Sequence, residues 1–155
     1  MWHELYVMVG GAAGALAGLL FVAVSINLDR IISQKYLPRR AAETLAIMIG
    51  LLVLAVLVLV PQSALALGLE TVVTGLVIIL IMIARLRVPR LPGQSTLVHY
   101  APSVILALFG LPLIAGAISL LVGAGGGLYW FVPAVVLGFA GAVVNAWVLL
   151  IEILR

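Results

Sequence analysis

The chain has 155 residues, of which 66% are hydrophobic and 8% charged, with a formal net charge of +3 and no cysteine. A soluble domain carries roughly 25% charged residues, so these side chains cannot coat a water-facing surface, and the composition makes the chain an integral membrane protein. The missing cysteines exclude disulfides and thiolate chemistry, and the unbroken apolar runs select helices over barrel strands, which alternate apolar and polar residues.

Five spans are predicted, each near the roughly 20 residues that cross a bilayer core. The first runs from about Leu5 to Asn27. Its lead-in "MWHELYVM" has no basic stretch, which predicts a retained helix and not a cleaved signal peptide. Gly10, Gly14 and Gly18 recur at every fourth position, a stripe through which helices approach closely in lipid. Ser25 and Asn27 lie near its far end. The second span, about Thr44 to Val60, is bulky and has no polar side chain after Thr44, so a lipid-facing peripheral place is expected. The third, about Ala64 to Ala84, contains "GLETVVTG". Its Glu70 sits roughly 9 Å inside the boundary by helical rise, with Thr71 and Thr74 beside it. The fourth, about Ser103 to Val122, carries Pro112, where a kink is expected, and Ser119 near its end. The fifth, about Phe131 to Ile153, has a second small-residue stripe through Gly138 and Ala142, with Gly141 and Asn145 on a neighbouring strip.

Loop charge supports this count. The first loop holds Arg30, Lys35, Arg39 and Arg40, the third holds Arg85, Arg87 and Arg90, and Arg155 closes the chain. The second loop, "PQS", and the fourth, "GAGGGLYW", have no charge. Five spans put every basic residue on one side, which the positive-inside rule makes cytoplasmic. The expectation is one all-α polytopic domain over residues 1–155, N-terminus outside and C-terminus inside. Arg39, Arg40, Arg85, Arg87 and Arg90 are expected to meet anionic lipid headgroups. Trp2, Tyr6, Tyr129 and Trp130 are expected to anchor the opposite interface.

The opening "WHELYVMVGGAAGALAGLLFVAVSINLDRI" resembles the start of small multi-pass bacterial membrane proteins without an assigned activity. The resemblance implies a bacterial source and no particular activity; for a multi-pass helical chain the expected location is then the bacterial cytoplasmic (inner) membrane.

Chemistry-bearing residues are sparse. His3 and His99 fall on opposite sides of the predicted bilayer, and no His, Asp or Glu cluster has metal-ligand spacing. No serine has a nearby base within a span, so enzymatic activity, a metal and a cofactor are not expected. Nucleic-acid binding has no support beyond loop charge. Ionisable and polar groups inside a membrane are costly and mark functional paths. Glu70, Thr71, Thr74, Ser119 and Asn145, with Ser25 and Asn27, are therefore read as a sparse polar track. A packed bundle this small has little room for an internal channel, so the expected function is a homo-oligomeric pore for ions or small solutes. The helix-packing positions Gly10, Gly14, Gly18, Gly138, Gly141 and Ala142 would bring helices together. The alternative is a small membrane subunit that binds and modulates a larger membrane complex.

Overall fold

The computed structural model describes residues 2–34, 36–90 and 96–154. Lys35 and Arg155, parts of the charge pattern above, lie outside them, as do Met1 and residues 91–95. Among the described residues there are six α-helices, α1 (Trp2–Ile26), α2 (Leu28–Ser33), α3 (Leu37–Leu59), α4 (Ala64–Leu86), α5 (Thr96–Val122) and α6 (Phe131–Leu154), with a 3₁₀ turn at Gly127–Trp130. Five of them, α1, α3, α4, α5 and α6, are long and apolar enough to cross a membrane. The N-terminus of α1, the α3–α4 turn and the α5–α6 turn share one end. The described arginines cluster at the other.

Two spans begin earlier than the hydropathy suggests. α3 starts at Leu37 because Pro38 fits a first helical turn, where its missing N–H is no loss, and because Arg39, Arg40 and Glu43 find burial or partners there. α5 starts at Thr96 and runs through both Pro102 and Pro112.

The arrangement corrects the place expected for the second span. α3 is the central helix, packing on α1 and α6 and touching α4 and α5, while α1 lies at one edge of the bundle and α4 at the other. Leu51, Leu54 and Ala55 of α3 are fully buried. Bulk did not send this helix outward, because the small residues opposite receive it: a Cβ on Gly10 would lie 3.3 Å from Ala55, and one on Gly138 would lie 3.2 Å from Leu51. Nor do α3 and α4 form the main hairpin contact. α4 packs chiefly on α5, where Gly75 fits against Ile114 and Gly68 against Leu121.

The apolar-turn end is closed by local hydrogen bonds. Ser63 caps α4, its Oγ accepting from the Ala66 N–H at 3.2 Å. The α5–α6 turn bends through Gly123, Gly125, Gly126 and Gly127, all at positive φ, a region that glycine enters without strain. Trp2 meets Tyr129 edge-on, ring centroids 4.9 Å apart. Tyr6 is not an interface anchor: it is wholly buried in the core against which Trp2 packs.

Candidate functional site: a buried polar cluster and an open first helix

The residues expected to form one polar track separate into local structures. Glu70 is exposed near the start of α4, and its Oε2 accepts from Gln62 Nε2 at 2.9 Å. The same amide donates to the Leu57 carbonyl at 2.7 Å, so Glu70 belongs to the α3–α4 turn. Thr71 and Thr74 donate to carbonyls one turn back in their own helix, Leu67 at 2.7 Å and Glu70 at 3.0 Å. Ser119 clamps the α5–α6 turn, donating to the Ala124 carbonyl and accepting from the Gly127 N–H at 2.7 Å. Ser25 and Asn27 likewise donate to the Phe21 and Ala23 carbonyls. Hydroxyl back-bonding of this kind lets a polar side chain sit in a helix without a partner elsewhere.

Asn145 differs. It is fully buried, and neither its Oδ1 nor its Nδ2 meets a hydrogen-bond partner. Helix register shows what lies at its level. Gly50 of α3 and Gly138 of α6 both abut the Phe109 ring of α5, where an added Cβ would come within 3.0 Å. Seven residues make about two turns, so the same faces recur about 10 Å further along each helix. Stepping seven residues toward the arginine-bearing end reaches Glu43 on α3, Pro102 on α5 and Asn145 on α6.

At this level the sequence conceals a buried ionic cluster. Glu43 falls in what reads as a basic loop, yet its side chain is 6% exposed. Its Oε1 accepts from Arg85 Nη1 at 2.5 Å and from Arg39 Nε at 3.3 Å. Arg85 Nη2 also donates to the His99 carbonyl at 2.9 Å. One acid thus ties the start of α3 to the end of α4, and Arg85 carries the tie to α5. Glu43 Oε2 and the Oγ of the buried Ser103 have no hydrogen-bond partner. Arg85 and Arg40 therefore lie in the bundle and not on the headgroup surface expected for them; Arg87 and Arg90 are exposed. The alternation of Arg39 and Glu43 at i and i+4 was the available signal for this cluster, and it was hidden by the loop's overall charge.

The glycine stripes also divide. Gly10, Gly138 and Gly141 are packing positions, set against Ala55, Phe109 and Ile105, and Ala142 is buried. Gly14 and Gly18 make no such contact within the chain: an added Cβ at either, or at Gly11, meets nothing within 4 Å. α1 is the least buried of the five spans and is held almost wholly by α3. Between α1 and α6, over α3, lies a lateral cleft of about 260 Å³. Among the described residues, no three His, Asp or Glu side chains come together as a metal site. Comparison with protein-family models, with curated proteins and with solved structures gives no match.

Proposed function

We propose that the chain is a small membrane-embedded interaction subunit, which associates through the open glycine face of α1 with a transmembrane helix outside this chain. The observation that carries this reading is that Gly11, Gly14 and Gly18 face empty space in the bundle. Each glycine costs a helix about 1 kcal/mol relative to alanine. Against lipid that cost has no return, whereas against another helix it permits close backbone approach. The positive-inside rule puts the arginine-bearing end in the cytoplasm of a bacterial cell, with the N-terminus outside. Exposed Arg87 and Arg90 meet anionic headgroups there.

Proximity labelling or cross-linking from position 14 in native membranes tests the reading. A fixed partner, another protein or a second copy, is expected, and Gly14→Leu with Gly18→Leu should reduce its capture about tenfold without unfolding the bundle. Capture unchanged by these substitutions would overturn the assignment of this face. Single cysteines at Gln62 and Arg87, in a chain with no native cysteine, should label from opposite sides.

A homo-oligomeric pore is the second reading, favoured by one observation: the Glu70 carboxylate is exposed on α4 at the edge of the bundle opposite α1. In a ring of copies this acid could face an axial path and favour cations. It requires that the partner captured be the chain itself. It also requires that liposomes containing the protein pass ions, with Glu70→Gln changing rate or selectivity. Flux no greater than that of empty vesicles removes this reading and leaves the subunit.

A further inference from the structure

Hydroxyls within the spans return their protons to their own helices. Ser25, Thr44, Thr71 and Thr74 each donate to the carbonyl four residues back, the usual local bond for such side chains. Ser103 of α5 does not. It is buried, and its Oγ has no hydrogen-bond partner. The carbonyl four residues back is that of His99, and its oxygen already accepts from Arg85 Nη2 at 2.9 Å. In a helix side chains lean toward the N-terminus, while the carbonyls point toward the C-terminus. The Ser103 hydroxyl is therefore directed at the turn on which Arg85 is seated, where its customary acceptor is engaged by a charged donor.

Two more unsatisfied atoms belong to the same contact. Arg85 Nη1 donates to Glu43 Oε1 at 2.5 Å. Glu43 Oε2 shares a carbon with that oxygen, and Arg85 Nε shares a carbon with that nitrogen. Both are buried, and neither has a hydrogen-bond partner. Thus α3 brings an acceptor, α4 a donor and α5 a hydroxyl that can act as either. Each is costly to bury unpaired, and all three are tied to one guanidinium by its bonds to Glu43 and His99.

Charge and size select what satisfies them. Arg39 and Arg85 already share the one Glu43 carboxylate, so the local surplus of positive charge repels a cation. The second carboxylate oxygen repels an anion. A neutral molecule remains, one that donates to a carboxylate and accepts from a guanidinium. Glu43 is 5% exposed and Ser103 6%, an enclosure that admits only a small one. A buried water makes about three hydrogen bonds, as many as these atoms offer. We propose that a single water molecule is bound between α3, α4 and α5, donating to Glu43 Oε2 and accepting from Arg85 Nε–H and from the Ser103 hydroxyl. The helices are then joined at the arginine-bearing end through a resident water as well as through the ion pair.

The test is NMR of the full chain in bicelles, labelled with ¹⁵N-arginine, the Arg85 Nε–H resonance being assigned by its loss in Arg85→Lys. A dipolar cross-peak between that proton and water is expected, distinguished from proton exchange by its opposite sign in the rotating frame. Ser103→Val, which removes the hydroxyl and takes up the space of the water, should abolish it. If Ser103→Val does not fold, Ser103→Ala removes one of the three bonds and should weaken the cross-peak. Arg87, exposed to solvent, should show exchange alone. An Arg85 Nε–H that shows only exchange in the native chain would overturn the proposal, as would a cross-peak unchanged by the Ser103 substitution. A saturable shift of the Arg85 resonance on titration with sodium or potassium chloride, with loss of the water cross-peak, would also overturn it and put a cation in its place. The site does not involve the glycine face of α1, so this result and partner capture through that face stand or fall separately.

Discussion

Removing the charge of Glu43 gives the most direct check on the bundle's polar architecture. The Glu43 side chain is 6% exposed and that of Arg85 13%, so Glu43→Gln leaves a guanidinium in a protein interior without its counter-charge. Breaking a buried pair in this way costs about 3–5 kcal/mol. Arg85 keeps its bond to the His99 carbonyl and has a long stem on which to reach water, which places the expected loss near about 3 kcal/mol. For a chain of this length that corresponds to a fall in Tm of about 6–12 °C, at about 2–4 °C per kcal/mol. Arg39 supplies the internal control. It bonds the same Oε1, but at 3.3 Å, one turn away and with 36% side-chain exposure, so solvent screening leaves it about 0.5 kcal/mol. The assay is reversible denaturation in bicelles, reading helicity. Glu43→Gln should be far more damaging than Arg39→Gln, and the double change Glu43→Leu with Arg85→Met should recover most of the loss, because replacing both charges by apolar groups is close to neutral. If Glu43→Gln and Arg39→Gln shift the midpoint equally, or the double change is the worst of the set, the cluster is solvated and the argument fails.

The Asn145 carboxamide should be a net burden on the fold. Asn145→Leu is expected to raise stability by about 1–3 kcal/mol in the same denaturation assay, and a fall of similar size would mean that the carboxamide holds a partner. Gly116→Ala should destabilise by about 1–3 kcal/mol through overpacking, since its new methyl would meet the Phe131 ring and Trp130. Gly14→Ala, pointing into open space, should stabilise the isolated bundle by up to about 1 kcal/mol through helix propensity. Ser119→Ala removes both ends of the α5–α6 turn clamp. A loss of about 1–2 kcal/mol is expected, with faster hydrogen exchange at the Gly127 amide as the local readout.

Span number, helical state and the clustering of arginines at one end were legible in the residues, because each depends on composition along the chain. A run of apolar residues about 20 long has few alternatives in lipid. Gly10, Gly138 and Gly141 were also legible as contact positions. Helix pairing was not. α3 looks like a peripheral helix because most of its face is bulky and it has no polar side chain after Thr44, but its Gly50 receives Phe109 while Gly138 opposite receives its Leu51. Glu43 looked like loop charge, since its i,i+4 spacing from Arg39 suits a solvated helix as well as a buried one and says nothing of an arginine 42 residues away.

Local chemistry therefore settled which segments form helices long and apolar enough to cross a membrane, as the free energy of each rests on its own side chains and its own backbone bonds. Which polar groups end up together depends on rotation and register of whole helices, and these follow from packing between distant segments. That is why Glu70, Thr71, Ser119 and Asn145, similar as isolated polar residues in apolar runs, part company. The first three find partners within eight residues of themselves. Asn145 was carried by the seating of Phe109 against Gly50 and Gly138 to the level of the Glu43 cluster.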